Sequence, residues 1–240
     1  MFTLIKNANL YAPEPLGMND ILLADDKVAF IDRKIDLSGI PYETIDAAGC
    51  AVTPGFIDQH VHITGGGGQT GYASLVPDVS VSELVACGTT TVLGLLGTDG
   101  FVKELTTLYA KTKALEDDGL SAYMLTGFYG LPSKTLMSCV ADDLIFIDKV
   151  IGCKLAMSDD RSAFPTEPEI LRLINQVRLG GFTSGKGGVL HIHLGALPEG
   201  ITPLLNIVRH YPTLVSYLSP THLILSLIHI SEPTRHSLIS

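Results

Sequence analysis

The chain lacks tryptophan, an excess of basic residues and any long apolar run. Its 240 residues carry 16 lysines and arginines against 25 aspartates and glutamates, a net charge of −9 at pH 7. That acidic balance argues against nucleic acid or an anionic membrane surface as a partner. No apolar stretch approaches the roughly 20 residues that span a bilayer, and no signal-peptide core follows Met1. We therefore expect a globular cytoplasmic protein.

Cysteine is also scarce. The four cysteines, Cys50, Cys87, Cys139 and Cys153, lie far apart and form no Cys-x-x-Cys pair. This spacing argues against a thiolate zinc site and a disulfide framework. We expect all four to be reduced and buried as small hydrophobic side chains.

Two sequence patterns divide the chain. Residues 1–52 contain short apolar runs separated by turn-forming residues, which predicts the N-terminal part of a small β-sandwich domain. Residues 53–224 instead alternate strand-like runs with segments of helical spacing, which indicates an α/β fold with a parallel sheet. The predicted strands are 55–62, 90–97, 122–129, 152–158, 189–195 and 214–222, and the predicted helices are 79–86, 101–118, 140–150, 166–178 and 198–211.

Local signals mark some of the helix ends. Gly119 is predicted to stop the second helix as a C-cap. Thr166 and Glu169 have the spacing of a capping box at the start of the fourth helix. Gly180 and Gly181 are predicted to end that fourth helix.

The most informative motif is the apolar run 55–62, which ends in His60 and His62. Side chains of a strand alternate between its faces, so two histidines two positions apart point the same way and can hold one metal ion. The alternative is a pair of ordinary histidines at a strand edge.

Other polar residues stand at the carboxyl ends of the later predicted strands, where a (β/α)8 barrel builds its active site. They are Thr98, Asp99, Tyr129, Lys154, the run 158–161, His191, His193 and His222. Imidazoles from several strands suit zinc, and two metal ions about 3.5–4 Å apart need a bridging anion besides water. The spacing leaves open whether His191 or His193 is the ligand.

Lys154 is the candidate for that anion, because the fourth strand carries no aspartate or glutamate. Burial in an apolar run lowers the pKa of an amine and makes it nucleophilic. Such an amine can add carbon dioxide and become a carbamate. The alternative is a lysine whose amine reaches solvent at the strand end.

Arg161 and Tyr129 suit substrate recognition. Arg161 can hold a carboxylate with two hydrogen bonds, or it can pair with Asp159 or Asp160 in the same run. Tyr129 can donate a hydrogen bond to a developing oxyanion, or it can serve as an amphipathic core tyrosine. The glycines 65–68 lack the spacing and the lysine of a phosphate-binding loop.

Taken together, these residues resemble the amidohydrolase superfamily, and within it the isoaspartyl (β-aspartyl) dipeptidases. The similarity runs from residue 1 to His222 and is carried by the segments 54–68, 94–99, 125–127, 150–162 and 220–222. The resemblance implies a TIM-type (β/α)8 barrel of which this chain contains about six of the eight strands.

The resemblance also implies a binuclear zinc site. In such enzymes the first-strand pair, here His60 and His62, binds one zinc ion. A carboxylated lysine, here Lys154 with its carbamate derived from carbon dioxide, bridges both ions, and His193 and His222 bind the other. The zinc ions activate a bridging hydroxide that attacks the amide carbonyl of a β-aspartyl dipeptide.

Substrate contacts are implied at four positions. Thr98, Tyr129 and Arg161 match residues that contact the substrate, with Arg161 on a carboxylate and Tyr129 on the polarised carbonyl. Gln69 stands where the family usually has a glutamate that holds the α-ammonium group. A neutral acceptor contributes about 1 kcal/mol less than a charged one, which predicts weaker recognition of the amino group or a shifted substrate.

The similarity stops after His222. The family continues with two more barrel strands, one of which carries an aspartate that binds zinc and shuttles the proton to the leaving amine. This chain has no replacement for that aspartate, so we expect it to be inactive as written. Residues 225–240 resemble a translated sequencing adapter, which predicts a non-native tail.

The leading hypothesis is therefore that the parent protein of this chain is a zinc hydrolase of small β-aspartyl dipeptides. We also expect that parent protein to be a homo-oligomer. A cyclic-amide hydrolase such as a dihydroorotase or a hydantoinase is the first alternative, because those relatives share the His-x-His pair and the bridging lysine. A non-catalytic remnant that binds metal but turns nothing over is the second.

Overall fold

The computed structural model describes residues 1–223, so the predicted non-native tail at 225–240 lies outside the described residues. Two units are distinguished along the chain, one of residues 1–56 and one that begins at residue 57. Among residues 1–223, no helix combines the length and the apolarity needed to cross a membrane.

The first unit is a five-stranded sheet. Its strands are β1 (Phe2–Tyr11), β2 (Pro15–Ala24), β3 (Lys27–Asp32), β4 (Glu43–Asp46) and β5 (Ala51–Val52). β1 is central: it runs antiparallel to β2 and parallel to β4 and β5. Leu4, Ala8 and Leu10 of β1 are buried at even positions, as expected for a strand with one covered face. The predicted β-rich region is confirmed.

The second unit is a parallel sheet of six strands that curls into half a barrel. Its strands are β6 (Phe56–Val61), β7 (Thr89–Gly94), β8 (Ser121–Gly127), β9 (Val150–Met157), β10 (Val189–Leu194) and β11 (Leu218–Thr221). Their order in the sheet follows their order in the chain, because each crossover returns the chain to the next position.

Helices fill the crossovers between these strands. They are α1 (Val81–Ala86), α2 (Leu105–Asp117), α3 (Val140–Phe146), α4 (Glu167–Ser184) and α5 (Thr202–His210). Short 3-10 helices cover Tyr72–Ser74, Thr98–Phe101 and Pro212–Tyr217. The predicted class, a (β/α)8-type barrel represented by six strands together with a small β-rich unit, is confirmed.

The core of the second unit lies between the sheet and its helices. Leu108 of α2, Leu155 of β9, Ile174 of α4 and Ile192 of β10 are all fully buried in one cluster. β9 is buried along almost its whole length, because its two faces are both covered. This explains why the strands of this unit are near-continuous apolar runs in the sequence.

The predicted end of α4 is wrong. Gly180 and Gly181 lie inside the helix, which ends instead at Gly185 with a left-handed φ of 71°. A Cβ at Gly180 would lie 2.8 Å from Cβ of Leu144, and one at Gly181 would lie 2.7 Å from Cα of Gly188. These two glycines therefore allow close packing against α3 and the following loop.

Further boundaries also differ from the prediction: α5 starts at Thr202 and not at residue 198, and a 3-10 helix up to Tyr217 occupies the start of the strand predicted at 214–222. α2 ends at Asp117 with Gly119 at a φ of 95°, as expected for a helix stop. It starts at Leu105 and not at residue 101, because a 3-10 helix occupies Thr98–Phe101. α3 ends at Phe146 and not at residue 150, where β9 already begins.

The cysteines are free, as predicted, but they are not all buried. Cys50 and Cys87 are exposed, Cys139 is half-buried and Cys153 is buried. The prediction fails for the first two because Cys50 immediately precedes the short strand β5 and Cys87 caps the end of α1.

Candidate metal centre

The parallel strands bring the predicted ligands to one edge of the half-barrel. His60 lies near the end of β6 with His62 just beyond it, and His222 directly follows β11. Lys154 of β9 pairs in register with His191 of β10. Residues in register on neighbouring parallel strands point to the same face, so the amine and this imidazole lie side by side.

Four of the predicted ligands form a cluster of imidazole rings. The ring centroid of His60 lies 5.5 Å from that of His62 and 5.3 Å from that of His222. The His222 centroid in turn lies 4.7 Å from that of His193. These distances bring side chains from β6, β10 and the end of β11 to a common point.

Lys154 is fully buried and interacts electrostatically with His60, His193 and His222. Its Nζ has no hydrogen-bond partner within residues 1–223 and lies 5.7 Å from the centroid of the Tyr129 ring. Burial lowers the pKa of Lys154 to about 7, so that a large fraction of the amine is neutral at pH 7. The alternative in which the amine reaches solvent does not occur.

His193 has one free ring nitrogen. Its Nε2 lies 2.8 Å from Oδ2 of Asp159, whereas its Nδ1 is buried and has no partner among the described residues. A ring that donates Nε2–H to a carboxylate keeps the Nδ1 lone pair for a metal ion. Burial lowers the pKa of His193 to about 4, against the opposing effect of the bond to Asp159, so the ring is neutral at pH 7.

His191 has both ring nitrogens engaged. Its Nε2 lies 2.9 Å from Nδ1 of His60, and its Nδ1 lies 3.0 Å from Oγ of Ser219. No lone pair of this ring is left for a metal ion in this arrangement. The contrast with His193 supports His193 as the ligand, a choice that the sequence spacing leaves open.

Asp99 stands behind His62. Its Oδ1 accepts from the backbone N–H of Gly97 at 2.7 Å and lies 3.6 Å from Nδ1 of His62. Oδ2 of Asp99 and Nδ1 of His62 are both buried without a partner within residues 1–223. A Cβ at Gly97 would lie 2.5 Å from Cε1 of His62, so glycine is required for the ring to sit here.

A pocket of about 450 Å³ lies beside the cluster and brings together three of the predicted substrate residues, Gln69, Thr98 and Arg161. Its other walls are largely apolar and include Tyr72, Leu75, Phe101 and Val102. Tyr129 does not line this pocket. Its ring centroid lies 4.8 Å from that of His193 and 5.7 Å from Cζ of Arg161, so it stands between the pocket and the imidazoles.

Arg161 is already paired within the chain. Its Nε and Nη2 donate to Oδ1 and Oδ2 of Asp159 at 2.8 Å and 2.6 Å. These bonds hold the pKa of the Asp159 carboxyl well below its ordinary value. Sequence reasoning names Asp159 as a possible partner of Arg161 but misses its contact with His193. It also misses Ser219, whose place opposite His191 depends on strand register.

The residues fit a metal centre through their donors and their free atoms. No three His, Cys, Asp or Glu side chains within residues 1–223 already converge as a coordination sphere. However, Nζ of Lys154 and Nδ1 of His193 are buried polar atoms without partners, which is costly in a folded protein. A carbamate on Lys154 together with metal ions would satisfy both atoms.

Two solved structures of known enzymes resemble this chain over 99% of its length. A crystal structure of a β-aspartyl dipeptidase from the thermophilic keratin degrader Fervidobacterium islandicum matches at a TM-score of 0.92 and 39% identity, over 99% of this chain and 65% of that one. A second structure from that organism, in complex with a β-Asp-Leu dipeptide, matches at a TM-score of 0.91 and 39% identity, over 99% of this chain and 62% of that one. No protein-family model matches the chain.

Sequence relatives add a second group of enzymes. A D-hydantoinase from Geobacillus stearothermophilus is 44% identical over 63 residues, which are 26% of this chain and 13% of that protein. A dihydroorotase from Streptococcus pneumoniae is 36% identical over 112 residues, which are 45% of this chain and 25% of that protein. The chain thus spans less than two thirds of each of these relatives. The resemblance to the amidohydrolase superfamily, and within it to the β-aspartyl dipeptidases, is confirmed.

Proposed function

We propose that this chain carries the metal-binding and substrate-binding residues of a binuclear zinc hydrolase that cleaves the β-aspartyl bond of isoaspartyl dipeptides. The observation that carries this proposal is the cluster of His60, His62, His193 and His222 together with the buried amine of Lys154, which interacts electrostatically with three of these rings. The 39% identity to a dipeptidase whose structure holds β-Asp-Leu supports the choice of substrate.

The four proposed histidine ligands form two pairs. His60 and His62 would hold one zinc ion, and His193 and His222 would hold the other, with the carbamate of Lys154 between them. These residues would hold zinc ions, which when bound would supply Lewis-acid polarisation of the amide carbonyl and a water of lowered pKa. Asp99 and Asp159 would orient His62 and His193 from behind, as outer carboxylates do at zinc sites.

The pocket residues would bind and orient the dipeptide. Arg161 lines the pocket and is fixed by Asp159 through Nε and Nη2, so Nη1 would be the atom that donates to a substrate carboxylate. Gln69 would accept from the α-ammonium group. The hydroxyl of Tyr129 stays protonated at neutral pH because burial raises its pKa, so it can donate to the carbonyl oxygen. Thr98 would shape the pocket floor while its hydroxyl donates to the carbonyl of Gly67 at 2.9 Å.

The chain has the residues proposed for zinc and dipeptide binding but lacks a residue that the family needs for hydrolysis. The aspartate that the family uses to move the proton stands on a strand beyond the part of this chain that resembles the family, whereas Asp99 and Asp159 stand beside His62 and His193. We therefore expect this 240-residue chain to bind zinc and dipeptide without turning the dipeptide over.

The test measures zinc and ligand binding by the 240-residue chain. Zinc titration by calorimetry should give two ions per chain, and β-Asp-Leu should bind the loaded chain with a marked loss in Arg161→Met. Absence of zinc binding, or equal binding of the dipeptide by Arg161→Met, would contradict the proposal. A cytoplasmic location and a homo-oligomeric parent protein stay predictions.

A cyclic-amide hydrolase is the second candidate, because the sequence relatives include a D-hydantoinase and a dihydroorotase. Competition for the loaded chain between β-Asp-Leu and a hydantoin separates the two. Preference for the cyclic amide would favour this candidate.

A further inference from the structure

His60 and His191 contact each other across the concave face of the half-barrel. Their strands, β6 and β10, are separated in the sheet by three others, so this is not a contact between neighbouring strands. The sheet must curl for Nδ1 of His60 to lie 2.9 Å from Nε2 of His191. The second ring is itself fixed, because it is 4% exposed and its Nδ1 contacts Ser219 on β11 at 3.0 Å.

The protons on these rings are linked. Nδ1 of His60 and Nε2 of His191 are close enough to share a single proton, so the nitrogen that carries it sets the tautomer of both neutral rings. A neutral His60 that offers Nε2 to a metal ion must carry its proton on Nδ1 and donate it to His191. His191 then carries its own proton on Nδ1 and donates it to the Ser219 hydroxyl.

The opposite arrangement blocks the ligand. If His191 instead carried its proton on Nε2, it would donate to Nδ1 of His60. His60 would then carry its proton on Nε2 and would have no lone pair free for a metal ion. Ser219 is compatible with the competent arrangement, since its oxygen can accept the Nδ1–H of His191 and so leave Nε2 free to accept from His60.

We infer that His191 and Ser219 are positioning residues that hold His60 in the one tautomer and orientation able to bind metal. The inference rests on the proposed function, because it takes His60 to be a zinc ligand. It gives His191 a role distinct from that of His193, although the two stand on the same face of β10. Outer partners of metal-bound histidines typically change metal affinity 10- to 100-fold.

The experiment measures the affinity for each zinc ion by competition with a chromophoric chelator, on the 240-residue chain. His191→Phe keeps ring volume without either nitrogen, and His191→Gln keeps an amide oxygen that can accept from Nδ1 of His60. Ser219→Ala removes the outer acceptor. His210→Gln changes an exposed histidine on α5 that lies outside the cluster and serves as the matched control.

We expect His191→Phe to weaken one of the two zinc ions by 10- to 100-fold and His191→Gln to restore most of that loss. Ser219→Ala should weaken the same ion several-fold, and His210→Gln should change neither. In the zinc-loaded chain, long-range ¹H–¹⁵N spectra should show His60 protonated on Nδ1.

Four outcomes would overturn the inference. Wild-type affinity in a folded His191→Phe shows that the contact does not matter, and equal loss in His191→Phe and His191→Gln shows that ring packing is responsible. If His191→Phe and His191→Gln both lose one zinc ion completely while Ser219→Ala keeps wild-type affinity, His191 is a ligand and not a positioning residue. If His191→Phe does not fold, His191→Gln and Ser219→Ala decide, and wild-type affinity in Ser219→Ala rejects the inference. A wild-type chain that binds no zinc would instead reject the proposed function itself.

Discussion

Oδ2 of Asp159 lies 2.8 Å from Nε2 of His193, and the same carboxylate accepts two hydrogen bonds from the guanidinium of Arg161. One buried side chain thus orients a proposed zinc ligand and a proposed substrate-binding guanidinium. Asp159 is 5% exposed, so this pairing is shielded from solvent.

Asp159→Asn should therefore impair two separate properties. The amide keeps the shape of the carboxylate but loses its charge and one acceptor, so we expect zinc affinity to fall by about 10-fold and β-Asp-Leu to bind more weakly. Calorimetric titration of each ligand checks this. Asp160→Asn is the matched control, because Asp160 is exposed and lies 3.7 Å from Nε of Arg161. Equal effects of the two substitutions would refute the role of Asp159.

Lys154 should make the stability of the metal-free chain depend on pH. Its pKa is about 7 in the folded chain against an ordinary value of 10.5, so between these values the unfolded chain binds more protons. The free energy of unfolding should therefore rise with pH from about 7 upward, by a few kcal/mol over the full window since one pKa unit corresponds to about 1.4 kcal/mol.

Lys154→Met is the matched variant for that effect, because it fills similar volume without a titratable group. Urea unfolding at pH 7 and at pH 9, in the presence of chelator, should show a larger increase for the wild type than for Lys154→Met. An equal increase in the free energy of unfolding for the two proteins would mean that the amine is not desolvated in the folded chain.

Gln69→Glu should restore a charge for the α-ammonium group of the substrate. A charged acceptor adds up to about 1 kcal/mol over a neutral one, so we expect β-Asp-Leu to bind the zinc-loaded chain several-fold more tightly. Succinyl-leucine lacks the amino group and provides the control ligand, for which no gain is expected. A similar gain for both ligands would show that residue 69 does not contact the ammonium.

Gly181→Ala should destabilise the chain although alanine favours helices. A Cβ there would lie 2.7 Å from Cα of Gly188, and forcing this contact costs about 1–3 kcal/mol. Gly187→Ala is the control, because a Cβ at Gly187 meets nothing within 4 Å. Thermal unfolding compares the two, and a more stable Gly181→Ala would contradict the packing described for α4.

The sequence predicts which side chains form the metal centre better than it predicts which residues contact those side chains. His60 and His62 are visible because strand alternation is a local rule, and Lys154 is visible because a charged residue interrupts an apolar run. The contacts of His191 with His60 and with Ser219 depend on sheet curvature and strand register. No local periodicity encodes these.

The helices show the same limit. The capping pair Thr166 and Glu169 is local, and the Thr166 N–H does donate to the Glu169 carboxylate at 2.9 Å. Close packing against residues outside the helix requires glycine at positions 180 and 181. A rule based on local sequence therefore wrongly predicts that the helix ends there.

The most direct measurement is anomalous X-ray scattering at the zinc edge from crystals of the zinc-loaded chain. We expect two peaks about 3.5–4 Å apart, one beside His60 and His62 and one beside His193 and His222, with density for a modified Lys154 between them. Zinc bound elsewhere, or no zinc near Lys154, would contradict this expectation.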